Sequence, residues 1–129
     1  MYLWIVIGIL VIVVGIGAYL YAPPSDVIPE GDVIMSIKSS RPGCEESDKC
    51  YVPSEITVLQ GGQVTWVNED SAFHSVTSGT YGNDTGIFDS GYMDPYESYV
   101  ITFDDAGTFE YFCTLHPWMA GQVIVSDVQ

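Results

Sequence analysis

Positive charge is what this chain has least of. Lysine and arginine together number three in 129 residues, against 17 aspartates and glutamates, for a formal net charge of −14. So acidic a chain is excluded from binding nucleic acid, which takes the opposite sign, and its charge argues against resting flat on an anionic membrane surface. The same charge serves solubility, and it can steer a basic partner over long range. Charge of either sign is missing altogether from the first 25 residues. Histidine is scarce, at two, which leaves none to spare for a second, catalytic metal centre. Cysteine is odd in number, at three. No stretch after residue 30 shows a helical period of 3.6, which speaks against a helical domain there.

The uncharged start is a long apolar run, Tyr2 to Ala22, "YLWIVIGILVIVVGIGAYLYA". As a helix it spans about 31 Å at ~1.5 Å per residue, which matches a hydrocarbon core of about 30 Å. A cleavable signal has a basic start, a shorter apolar core and a small-x-small site. Here the basic start is missing, and Tyr19, Leu20 and Tyr21 break the small-residue pattern. The expectation is therefore a retained single-pass transmembrane anchor over residues 1–22. Tyr2, Trp4, Tyr19 and Tyr21 fall where aromatic belts would lie. "PPS" at 23–25 ends the helix, residues 23–30 read as a stiff tether, and residues 31–129 suffice for one modest core. All charged residues follow Ala22, and the cysteines suit an oxidising compartment. This domain is expected on the extracytoplasmic side of the cell membrane.

Periodicity of two dominates that domain. Candidate strands are 32–37, 55–60, 63–69, 74–78, 97–103, 108–113 and 121–127, separated by turn signals such as Gly61-Gly62, Gly82-Asn83 and Asp105-Ala106-Gly107. The pattern predicts an all-β, antiparallel sandwich or barrel with Greek-key connections. By alternation the inward residues are Ile56, Val58, Val64, Trp66, Val100, Phe103, Phe109, Tyr111, Val123 and Val125. "NDT" at 83–85 is a glycosylation sequon in an expected loop.

Cys44 and Cys50 bracket the short polar loop "EESDK", and pairing them as a disulfide leaves Cys113 a free thiol. A second metal site from Cys44, Cys50 and nearby carboxylates would have no histidine. Cys113 opens "CTLHPWM", with His116 and Met119 following at equal spacing in a loop between two expected strands. With His74 the set is two imidazoles, one thiolate and one thioether. That combination selects one type 1 copper ion, a His₂Cys plane with a weak, long axial Met. Structural zinc prefers four strong Cys and His ligands. Met35 and Met93 read as packing residues. The chemistry implied is one-electron, outer-sphere Cu(II)/Cu(I) transfer between redox partners, not enzymatic turnover. The alternatives are a copper-binding carrier and an accessory domain of a larger copper enzyme.

Residues 31–129 resemble a blue-copper cupredoxin of the plastocyanin/amicyanin class. The resemblance rests on "WVNEDSAFHSV" (66–76) and "GTFEYFCTLHPWMAGQVIV" (107–125), whose short ligand loop, with Pro117 after the histidine, is similar to amicyanin's. The anchor and acidic domain are similar to membrane-attached archaeal plastocyanin-like proteins. The resemblance implies His74, Cys113, His116 and Met119 as ligands and His116 as the exposed port for electrons. Phe73, Pro117 and Trp118 would form an apolar rim where a redox protein docks. Ser75 stands where plastocyanins and amicyanins usually have an Asn that bonds to the cysteine loop, which puts the tuning of the site in question. Phe112 replaces a surface Tyr used as a remote port in plastocyanins, and Thr114 matches a small hydroxyl residue expected to bond within the loop.

Overall fold

The structure, a computed structural model, describes residues 30–128. The expected anchor (1–22) and all of the tether but Glu30 lie outside the described residues. Among the described residues no helix is long and apolar enough to cross a membrane. The described strands form two sheets. One runs in the order β2 (Tyr51–Val52), β1 (Val33–Met35), β4 (Gly62–Asn68) and β7 (Ser98–Phe103). The other runs β3 (Glu55–Leu59), β9 (Ala120–Ser126), β8 (Gly107–Phe112), β5 (Thr77–Thr80) and β6 (Asn83–Asp89).

The fold is all-β, as the periodicity predicts, but the sheets are mixed and not antiparallel throughout. β1 runs parallel to β4, with Val33 opposite Trp66, and β3 runs parallel to β9, with Ile56 opposite Val123. The cause lies at Gly61-Gly62, which switches sheets and does not close a hairpin. Gly61 takes φ +84° and donates its N–H to the Phe103 carbonyl of the other sheet at 2.7 Å. β6 is a strand that alternation misses. Its sequence "NDTGIFD" is polar and contains Gly86, and only Phe88 is buried. Asn83 of the sequon is exposed and opens β6 at the end of a hairpin.

Trp66 sits at the centre of the core, with Tyr111 at 5.3 Å, Tyr99 at 6.1 Å, Phe88 at 6.3 Å and Phe103 at 6.4 Å between ring centroids. Val64, Phe103, Tyr111, Val123 and Val125 are buried as expected, while Ile56, Val58 and Phe109 are half-buried against them. Val100 is a correction, since it is 48% exposed. Phe103 points inward, so strict alternation along β7 turns Tyr99 and Ile101 in and Val100 out.

One register positions the site. β5 pairs antiparallel with β8, Thr77 opposite Phe112 and Ser78 opposite Tyr111. Continued by two residues, that register sets Ser75 across from Thr114, beyond the ends of both strands. The connection carrying His74 and the loop carrying Cys113 therefore meet at one end of the sandwich. The β1–β2 connection arrives at the same end, because β1 runs parallel to β4.

Candidate metal centre

His74 lies in the connection from β4 to β5 and is held there by an isolated bridge to Met93, donating its N–H to the Met93 carbonyl at 3.3 Å and accepting from the Met93 N–H at 2.8 Å. Cys113 follows β8 directly. The loop after it is closed on itself by the Cys113 N–H to the Met119 carbonyl (3.1 Å) and the Met119 N–H to the His116 carbonyl (2.9 Å). The structure thus brings three of the expected ligands together. His74 Nδ1 is 3.8 Å from Cys113 Sγ, His116 Nδ1 is 3.5 Å from it, and the two Nδ1 atoms are 3.1 Å apart. Bonds of about 2.0 Å to nitrogen and about 2.3 Å to sulfur impose much the same spacing on three atoms around one ion. The donor set therefore fits a metal. Met119, at the foot of the same loop, is fully buried.

The electrostatics suit a thiolate. Burial alone raises the Cys113 thiol. The His74 imidazole beside it and hydrogen bonds from the backbone N–H groups of Ser75, Leu115 and His116 reverse that, and its pKa is lowered. The Ser75 N–H donates to Sγ at 3.3 Å. Burial alone lowers His74, but Cys113 and Asp70 outweigh it and its pKa is raised. His116 is lowered by burial and by the charge of His74. The two imidazoles also differ in access, His74 being fully buried and His116 half-buried.

Ser75 takes over the bridging role in question. Its Oγ accepts the Thr114 N–H at 2.9 Å and lies 3.2 Å from Thr114 Oγ1 and 3.0 Å from Thr77 Oγ1. Thr114 therefore bonds across to the His74 connection and not, as expected, within its own loop. Phe112 is buried. Phe73 is 53% exposed, Pro117 is exposed, and Leu115, absent from the expected rim, is 40% exposed. Trp118 is half-buried against the core, 5.4 Å from the His116 ring, and its indole N–H donates to the Ser39 carbonyl at 2.9 Å. Met35 and Met93 are core residues. Cys44 and Cys50 form a disulfide, which excludes them as thiolate ligands.

Three residues around the site escape sequence reasoning. Asp70 Oδ2 lies 2.9 Å from His74 Nε2, and Ser39 Oγ lies 3.3 Å from the same atom. The Tyr51 hydroxyl donates to the Ser75 carbonyl at 2.6 Å. An acid four positions before His74 was the one legible signal. Ser39 and Tyr51 reach the site only through the β1–β2 connection, which no local pattern locates.

Residues 40–126 match the family of copper binding proteins described as plastocyanin/azurin. Amicyanin from Paracoccus versutus is 42% identical over 100 residues, 76% of this chain and 67% of that protein. Plastocyanin from Scenedesmus fuscus is 34% identical over 82 residues, 57% of this chain and 82% of that protein. A purple cupredoxin from Nitrosopumilus maritimus superposes with a TM-score of 0.68 at 26% identity, over 75% of this chain and 100% of that one. The chain spans 57% to 67% of the length of the Paracoccus amicyanins it matches.

Proposed function

The chain belongs to the plastocyanin/azurin family of copper-binding proteins, a family of electron carriers and not of enzymes, and from that premise we propose that it is a membrane-anchored type 1 copper electron carrier. His74, Cys113 and His116 are the strong ligands in this reading, and Met119 is the weak axial one. The observation that carries it is the convergence of His74 Nδ1, Cys113 Sγ and His116 Nδ1 at 3.1–3.8 Å, with a buried methionine at the foot of the same loop. A copper ion bound there supplies a one-electron Cu(II)/Cu(I) couple.

The protein's part is to hold its donors still and to keep water away. Cys113, His74 and Met119 are fully buried, and hydrogen bonds from Ser75 and Thr114 lock the two chain segments that carry the ligands. A site that moves little between oxidation states favours outer-sphere transfer. His116 is the less buried imidazole, and it is the port by which the electron enters and leaves. Phe73, Leu115 and Pro117 surround that end as exposed apolar surface, which supports docking of a redox protein there. The acidity of the chain favours a partner with a basic docking surface. The apolar run over 1–22 would hold the domain at the extracytoplasmic face of the cell membrane.

Copper titration of the protein with optical and EPR detection tests the assignment. One Cu(II) per chain and an intense visible thiolate-to-copper band are expected. Cys113→Ser should lose that band while the β circular-dichroism signal stays. Bound Cu(II) in the wild type without the band overturns the reading. Alkaline extraction of membranes should leave the full chain in the pellet and release a variant lacking residues 1–22.

A further inference from the structure

We propose that Asp70 is the positioning residue of this site: its carboxylate fixes the ring tautomer of His74, leaving Nδ1 free as a donor, and its charge favours the oxidised metal. The assignment rests on the copper reading above. It is carried by a cluster that the ligand set does not include.

Asp70 is 2% exposed and His74 is fully buried, and their side chains meet at 2.9 Å between Oδ2 and Nε2. The carboxylate is held by more than the histidine. Oδ1 accepts the N–H groups of Lys38 at 2.8 Å and Ser71 at 2.9 Å, and Oδ2 also accepts that of Ser40 at 3.1 Å. Three backbone donors from two chain segments therefore orient the group before any metal binds. They also favour its ionised form, which can only accept. Nε2 of His74 must then carry the proton, and the lone pair lies on Nδ1, the atom that faces Cys113 and His116. Ser39 Oγ, 3.3 Å from Nε2, cannot impose this alone, because a hydroxyl serves either tautomer. Among the described residues, His116 makes side-chain contacts of this kind only through Nδ1, toward Cys113 and His74. One ligand is thus backed by a buried anion and the other is not.

A carboxylate behind a ligating histidine raises its basicity, and losing such a partner typically costs about 10- to 100-fold in metal affinity. The negative charge compensates Cu(II) more than Cu(I). The loss should therefore fall mainly on the oxidised ion. A merely structural Asp70, which only ties the Lys38–Ser40 turn to the site, would weaken both oxidation states alike.

The first test needs no copper. Long-range ¹⁵N–¹H spectra of the imidazoles in the metal-free full chain, recorded at a pH where the ring is neutral, should show His74 as the Nε2–H tautomer. The Nδ1–H tautomer in the wild type overturns the proposal. Because this measurement is made without metal, failure of the copper reading and failure of this one are separable. In Asp70→Asn, which keeps an acceptor of the same shape, Cu(II) affinity should fall about tenfold relative to Cu(I). For a one-electron couple that is a rise of about 59 mV in midpoint potential, read by spectroelectrochemistry. Asp70→Glu should recover part of it. An unchanged potential in a folded Asp70→Asn, or equal losses for both ions, assigns Asp70 a structural role only.

Discussion

Tyr51 and Tyr111 stack edge to face with ring centroids 4.9 Å apart, yet their hydroxyls are in opposite situations. The Tyr51 hydroxyl donates to the Ser75 carbonyl, the residue that also holds Cys113 and Thr114. The Tyr111 hydroxyl is buried without a hydrogen-bond partner, as is the Trp66 indole N–H beside it. Removing a satisfied donor strands a buried carbonyl, whereas removing an unsatisfied one relieves a desolvation cost. Tyr51→Phe should therefore lose about 1–3 kcal/mol in denaturant unfolding and disturb the ligand connection. Tyr111→Phe should be neutral or stabilising by about 1 kcal/mol. Alkali separates them further. Burial pushes the Tyr111 phenol up to about 12 from 10.0. A raised phenol stabilises the fold fully below the unfolded value and loses that contribution as the folded group ionises. Its share of stability is thus present below pH 10 and disappears between about 10 and 12. Tyr111→Phe should resist alkaline unfolding better than the wild type, and an equal or lower alkaline midpoint would count against this account.

At the scale of strands and loops, the β8–β9 pair carries the Cys113–Met119 loop, and its packing leaves one position no choice of residue. A Cβ on Gly121 would lie 2.5 Å from the Tyr111 Cζ and 2.7 Å from the Ser54 carbonyl oxygen. One obstacle is a core ring and the other is backbone, so neither yields easily. Gly121→Ala should cost about 1–3 kcal/mol, and the strain lies in the hairpin that bears Cys113 and Met119. Thermal unfolding of the metal-free protein measures it. Equal stability would show that Tyr111 can swing aside.

That same hairpin explains what the sequence made legible. "FEYFCTLHPWM" announces a strand, a loop and three soft donors within one short stretch, and alternation alone orients Tyr111, Val123 and Val125. His74 was legible as the one remaining imidazole. Parallel pairing of β1 with β4 and β3 with β9 was not, because alternation assigns faces to a strand and says nothing of its neighbours. β6 escapes because an edge strand buries almost nothing, and Val100 cannot share a face with Phe103, three residues on in a strand of period two. Asp70 escaped for a different reason. Its partners at Lys38 and Ser40 are brought to it by the β1 register, a long-range contact without local signature.

Over the whole molecule, charge is distributed so as to set apart the end where His74, Cys113 and His116 converge. The chain carries −14 overall, yet its three basic residues, Lys38, Arg41 and Lys49, all fall in the β1–β2 connection that reaches the His74 end. All three are exposed, and they share that connection with Glu45, Glu46 and Asp48. Long-range attraction follows the net charge, whereas the last few ångströms follow the local one. Screening lengths fall from about 30 Å at 0.01 M salt to about 3 Å at 1 M, so ionic strength can be used to separate the two. With paired small-molecule oxidants of similar potential and opposite charge, the cationic one should react faster with the reduced protein at low salt. Its advantage should shrink steadily as salt rises. Stopped-flow rates across that range decide the matter. A faster anionic reagent at low salt would mean that Lys38, Arg41 and Lys49 govern the approach to His116, and charge reversal at those three positions should then invert the preference.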